Sequence, residues 1–154
     1  MSAVSVRPAG LADVAPMSAV LIASITELCI ADHRGDAAFL SRWLANKTPA
    51  AVSAMLANPE ITPYVAERTG EIAAVGCVGM DGEIGLNYVA PSQRFQGVSK
   101  TLLAAMEDSL RRRGLAEAHL TSTATAHRFY LDAGWQDTAA NAIAGTTFPM
   151  RKLL

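Results

Sequence analysis

Arg94-Phe95-Gln96-Gly97-Val98-Ser99 is the stretch whose reading decides the fold. Before it, Glu83 to Ala90 alternates in character and reads as a strand. After it, Lys100 to Arg113 carries Leu102, Leu103, Met106 and Leu110 on one stripe at helical spacing. A strand, a short glycine-containing turn and a helix start leave several backbone N–H groups without intrahelical partners, and the helix dipole favours negative charge beside them. The turn is therefore a candidate site for a phosphate or pyrophosphate. Two familiar nucleotide loops do not fit. A Walker A loop ends in Gly-Lys-Ser/Thr, whereas Lys100 and Thr101 follow Ser99. A dinucleotide fingerprint needs three spaced glycines, and this turn has only Gly97.

Working outward, the strand ends in Asn87-Tyr88-Val89-Ala90-Pro91. Downstream lies Thr125-Ala126-His127-Arg128-Phe129-Tyr130-Leu131-Asp132-Ala133-Gly134-Trp135. The turn resembles the acyl-CoA pyrophosphate loop of the GNAT superfamily of N-acetyltransferases, Gln/Arg-x-x-Gly-x-Gly/Ala. Arg94, Gly97 and Ser99 stand at its three defining positions, Ser99 replacing a still smaller residue. The lead-in is similar to that family's strand ending in Val-x-Pro. The downstream segment is similar to its Ala-x-x-Phe-Tyr-x-x-x-Gly-Phe helix, with Trp135 for the last Phe. The resemblance is close over residues 62–139 and holds elsewhere in outline.

Composition sets the outer bounds. The chain has 154 residues, enough for one well-buried core, and 51% hydrophobic against 18% charged residues describes a globular protein. A net charge of −1 gives no electrostatic case for nucleic acid or an anionic membrane as partner. Arg111-Arg112-Arg113 closes a helix, where cations complement the dipole. Cys29 and Cys77 suggest neither a disulfide framework nor a metal site, so a reducing, cytoplasmic setting and no metal are expected. Met1-Ser2-Ala3 leads straight into a strand-like segment without the pattern of a signal peptide. The apolar window Met17 to Ala31 is broken by Ser18, Ser24, Thr26 and Glu27, and reads as a buried helix too short for a membrane span.

Along the chain, Val4 to Arg7 reads as a strand, and Asp13 caps a helix running to about Cys29. Ala31 to Asp36 reads as a polar loop and Ala37 to Ala45 as a short helix. Thr48-Pro49 then starts a helix that ends at Asn58-Pro59. Tyr64 to Arg68, Ile72 to Met80 and Glu83 to Ala90 form an antiparallel meander through Thr69-Gly70 and Asp81-Gly82 turns. The helix to Arg113 stops at Gly114, and the strand Ala116 to Thr121 that follows it is expected to run parallel to its neighbour. A helix from Thr125 to Ala133 ends at Gly134. Trp135-Gln136 and Thr146 to Leu153 close the sheet. The fold class is α/β (α+β), a three-layer sandwich on a mixed, mostly antiparallel sheet. The resemblance adds that the central parallel strand pair splays to admit acyl-CoA. It also divides one N-acetyltransferase domain, 1–154, into acceptor-side helices (1–60), an acyl-CoA-binding core (61–139) and a closing strand (140–154).

The resemblance implies acetyl-CoA as co-substrate and a small-molecule or peptide amine as acceptor. The backbone N–H groups of Phe95, Gln96, Gly97, Val98 and Ser99 would hold the pyrophosphate, Gly97 letting the chain approach without a Cβ clash. Lys100, Thr101 and Arg94 would add contacts, although Arg94 also reads as a solvated charge. Tyr88, Val89, Thr123 and Phe129 would line the rest of the donor site, with a backbone N–H near Val89 polarising the thioester. Thr123 stands where relatives often carry Asn.

Tyr130 matches the position of the family's general acid. A phenol remains protonated at neutral pH and can protonate the leaving thiolate, while Phe129 and Tyr130 also read as core aromatics. Glu83 is the candidate base, acting through water, with a solvent-facing residue beside a turn as its other reading. His33 has a suitable intrinsic pKa for that work. Trp43, Arg42, Asp32, His33 and Glu27 are the candidates for the acceptor wall. The apolar surroundings of Cys29 and Cys77 argue against a nucleophilic thiol, so direct attack in a ternary complex is expected. A non-catalytic acyl-CoA sensor on the same fold is the alternative. Dimers are common in the family, and exposed sheet edges at the C-terminus offer an interface.

Overall fold

In the computed structural model, which describes residues 3–138 and 147–154, the chain opens with β1 (Ser5–Pro8) and α1 (Val14–Leu28). Asp13 precedes α1, but its carboxylate does not cap the helix. It bonds both guanidinium NH groups of Arg7 at 2.8 and 2.9 Å and accepts the Gly10 N–H at 2.7 Å. Leu11–Leu28, an 18-residue helical run, is long and apolar enough to cross a membrane by length and composition, contrary to the shorter window read from sequence. Here Met17, Leu21 and Ile25 are fully buried.

The segment expected as a polar loop begins with a helical turn, α2 (Ile30–His33), held by Asp32 and His33 N–H groups donating to Cys29 O. Arg34 (φ 51°) and Gly35 (φ 73°) then reverse the chain through left-handed conformations. α3 (Ala37–Leu44) is capped by the Asp36 carboxylate, and α4 (Pro49–Ala57) by the Thr48 hydroxyl, with proline in its first turn.

The meander follows as β2 (Ile61–Arg68), β3 (Glu71–Gly79) and β4 (Ile84–Val89), giving a four-stranded antiparallel sheet in the order β1-β2-β3-β4. Ala73 to Val78 are all buried because helices cover both faces of β3. On one face Met17, Val20, Leu21 and Val52 pack on Val65 and Val75. On the other, α5 (Val98–Arg112) lays Leu102, Leu103, Met106 and Leu110 on Ala66, Ala74 and Val78. Gly76 permits the close approach: a Cβ there would meet Met106 Sδ at 2.6 Å. Each such buried side chain contributes about 1.5–3 kcal/mol of burial free energy.

The chain continues through β5 (Glu117–Thr123), α6 (His127–Asp132), β6 (Gln136–Asp137) and β7 (Thr147–Leu153). The last three strands form a second antiparallel sheet in the order β5-β7-β6, and the core under α5 runs on beneath it through Leu120, Tyr130, Trp135 and Met150. The start of the closing strand, expected from Thr146 or residue 140, lies outside the described residues.

The expected parallel strand pair is present only as a point of contact. Glu83 and His119 form one parallel bridge, and His119 N–H donates to Gly82 O at 3.1 Å. Beyond that bridge β4 and β5 pair with each other nowhere among the described residues.

Candidate active site

The gap between β4 and β5 is a groove of about 340 Å³. Gly85 to Val89 form one wall and Leu120 to Thr123 the other. Ser24, Leu28 and Cys29 at the end of α1 close one side, and Phe129 and Tyr130 of α6 line the interior. The outer end is the turn from Gln93 to Lys100.

Gly97 starts α5 from a left-handed conformation (φ 77°), and no side chain caps the helix. The first N–H taken up is that of Thr101, donated to Gly97 O at 3.1 Å. Those of Val98, Ser99 and Lys100 find no acceptor among the described residues. Three converging N–H groups at the positive end of a 15-residue helix can hold a compact anion. The turn is buttressed from behind: Arg68 donates to the buried Gln93 Oε1 at 2.8 Å and to Gln96 Oε1 at 3.4 Å.

Of the residues expected along the donor site, Tyr88, Val89, Arg94, Phe95, Gly97, Val98, Ser99, Lys100, Thr123 and Phe129 line the groove, together with Tyr130. Gln96 and Thr101 do not. The Gln96 side chain turns back to Arg68, and the Thr101 hydroxyl donates to Gly97 O. Thr123 Oγ1 accepts the Ala126 N–H at 3.1 Å and so fixes the entry to α6.

Tyr130 is 6% exposed. Its ring meets Phe129 and Trp135 edge-on, at 5.2 and 5.9 Å between centroids. Burial pushes its hydroxyl up to about 12, while the adjacent Asn87 amide pulls the other way. Asn87 also holds the one buried side-chain polar atom without a hydrogen-bond partner among the described residues, its Oδ1. Sequence reasoning passed over this residue, although a single amide in the apolar strand Ile84 to Val89 was a visible signal.

The acceptor-side candidates separate. Asp32 is fully engaged: it accepts the N–H of Ala124 at 2.6 Å, the N–H of Thr125 at 3.1 Å and the Thr125 hydroxyl at 2.6 Å. His33 is buried. Its Nδ1 accepts the Gly35 N–H, which leaves Nε2 to donate to Thr26 O at 3.1 Å. That pair of bonds makes it a structural residue with no free nitrogen for base catalysis. Trp43 packs edge-on against Phe39 and faces Tyr88, whose hydroxyl burial pushes above the ordinary phenol range. Arg42 and Glu27 are exposed.

Glu83 does not join the groove. It lies half-exposed with Asp81 and His119, the His119 Nε2 being 3.7 Å from Asp81 Oδ2 and 3.9 Å from Glu83 Oε2. The strand bulge near Cys77 and Val78 and the bridge at Glu83 set this end of β4 apart from the site that holds Tyr130. Cys29 does line the groove. Burial, with Asp32 nearby, pushes its thiol up to about 12, which leaves negligible thiolate at neutral pH.

A family model described as an acetyltransferase (GNAT) domain matches residues 29–154. The chain belongs to the GNAT acetyltransferase family. Its chemistry is thereby acyl transfer from acyl-CoA. Among solved structures, a GCN5-related N-acetyltransferase from Rhodopseudomonas palustris is 23% identical, with a TM-score of 0.88 over 100% of this chain and 98% of that one. The PaiA N-acetyltransferase of Thermoplasma acidophilum, solved in complex with coenzyme A, is 16% identical, with a TM-score of 0.81 over 99% of each chain. The ribosomal-protein-S18-alanine N-acetyltransferase of Escherichia coli is 16% identical, with a TM-score of 0.65 over 98% of this chain and 94% of that one. A search of curated proteins finds no match. At these identities the neighbours establish the fold alone.

Proposed function

We propose that this GNAT domain transfers an acetyl group from acetyl-CoA to a primary amine, on a small molecule or a peptide, by direct attack in a ternary complex. The observation that carries the reading is that Tyr130 and the uncapped start of α5 open on the same groove. The pyrophosphate sits on the N–H groups of Val98 to Lys100, and the pantetheine arm runs between β4 and β5. Ala90 N–H is spent on Ala73 O, so strand alternation turns the Val89 N–H into the gap, where it polarises the thioester carbonyl.

The amine nitrogen bonds to the carbonyl carbon as the carbon–sulfur bond breaks, and Tyr130 gives its proton to the departing thiolate. Among the described residues no carboxylate or imidazole lines the groove, so the amine releases its proton to water, from which Tyr130 is reprotonated. The buried, protonated Cys29 supports direct attack over an acyl-cysteine route. Work in a reducing, cytoplasmic setting belongs to the same reading, supported by two free, buried cysteines. A tyrosine retained at this position and lining the groove supports an enzyme, whereas its packing in the core is the arrangement a sensor would share.

The test is calorimetric titration with acetyl-CoA, followed by turnover on an amine panel with the wild type and Tyr130→Phe. Micromolar binding and turnover lost in the variant are expected. Binding weaker than about millimolar, only about −4 kcal/mol, overturns the assignment. Binding with no turnover on any amine would leave a sensor.

A further inference from the structure

The outer end of the groove carries an aromatic ring that the core does not use. Phe95 is 88% exposed and holds a left-handed backbone conformation, φ 62°, that side chains with a Cβ rarely adopt. Gly97, two residues on, takes the same region of conformational space at no steric cost, so the turn itself does not require a large residue at 95. The Arg94 guanidinium lies 4.6 Å from the ring centroid. Arg94 thus covers one face of the ring, and the exposure leaves the rest of it to solvent. Both residues line the groove next to the free N–H groups of Val98 to Lys100.

We propose that Phe95, braced by Arg94, is the stacking platform for the adenine base of the acyl donor. The inference rests on the acyl-CoA reading above. Acyl-CoA carries a flat purine on the side of its pyrophosphate away from the thioester. A pyrophosphate seated on the start of α5 brings that purine out of the groove next to position 95. A purine face against a phenyl ring recovers apolar area that solvent otherwise covers, and the cation beneath the ring tolerates the neighbouring phosphates. The strained backbone is then explained by the direction in which it presents the ring.

The test compares wild type, Phe95→Gly and Phe95→Leu by calorimetric titration with CoA, dephospho-CoA and 4′-phosphopantetheine, which lacks the base. In the wild type CoA binds tighter than 4′-phosphopantetheine. Phe95→Gly weakens CoA and dephospho-CoA alike, by about tenfold, and leaves 4′-phosphopantetheine unchanged. Phe95→Leu, which keeps apolar bulk and the same backbone constraint but has no π face, shows a loss in the same direction. Thermal melting of Phe95→Gly occurs no lower than that of the wild type, because glycine accepts φ 62° freely. Equal CoA affinity in wild type and Phe95→Gly overturns the platform. So does a loss confined to CoA, which would assign the effect to the 3′-phosphate. A wild type that binds none of the three overturns the acyl-CoA reading itself.

Discussion

The carboxylate of Asp32 accepts the hydroxyl of Thr125 at 2.6 Å across 93 residues of sequence. With the N–H groups of Ala124 and Thr125 on the same carboxylate, α2 is fastened to the turn that feeds α6 and therefore to the position of Tyr130. Asp32→Ala leaves those donors without their acceptor, which costs about 2 kcal/mol. It also lowers kcat more than it raises KM for the donor. Thr125→Val costs about 1 kcal/mol, and in the double variant the two losses are not additive. Additive melting shifts across that cycle would sink the fastening.

Replacing Tyr130 by Phe keeps the ring in its aromatic cluster and removes one oxygen. On the proposed acid role, the Phe variant is expected to lose about 10²-fold in kcat while KM for acetyl-CoA changes less than about threefold, since an acid acts on a leaving thiolate only in the transition state. A rise in KM with kcat intact would reassign Tyr130 to substrate binding.

The pH profile follows from the direction of the Tyr130 shift. With its hydroxyl pushed up to about 12, the phenol stays protonated through the neutral and moderately alkaline range. On the proposed mechanism, activity rises with pH as an acceptor amine loses its proton, then holds level, and a fall due to Tyr130 ionisation is not reached below about pH 11. A fall in kcat centred between pH 8 and 10, in enzyme shown by circular dichroism to be folded, would contradict this.

Acid stability draws on a second pair. Arg7 holds the Asp13 carboxyl at about 2, below its ordinary value of 3.8. A carboxyl depressed in the folded state stabilises above its unfolded pKa, and that contribution disappears as pH falls from about 4 through about 2. Arg7 is partly exposed, so the contribution is about 1 kcal/mol. Denaturant melts at pH 7 and pH 3 should show Asp13→Asn destabilised at the higher pH and closer to wild type at the lower. An equal difference at both values would place its role in packing.

What the sequence revealed was local. Gly97 at a strand-to-helix turn, the stripe from Leu102 to Leu110, and Thr48-Pro49 each announce their structure within a few residues. The missed features join distant segments. Arg68 reaching Gln93, Asp32 reaching Thr125, and Asn87 beside Tyr130 all depend on which strands lie adjacent, and no periodicity encodes that. α2 escaped notice because Asp32-His33-Arg34-Gly35 has the composition of a loop, while its helical turn is set by the carbonyl of Cys29. The sequence offers Glu83 as a base because a carboxylate stands at the start of the strand that leads to the turn, but the bridge to His119 holds it at the closed end of the gap.

That bridge has a mechanical consequence. Among the described residues the two sheets share one bridge, with one backbone hydrogen bond, and from there β4 and β5 diverge like the legs of a compass, joined at the pivot and spanned by α5. Any arm that occupies the opening takes up backbone groups that the fold leaves idle. Occupancy and rigidity thus rise together, and amide hydrogen exchange along Gly85 to Val89 becomes a direct gauge of how full the enzyme is.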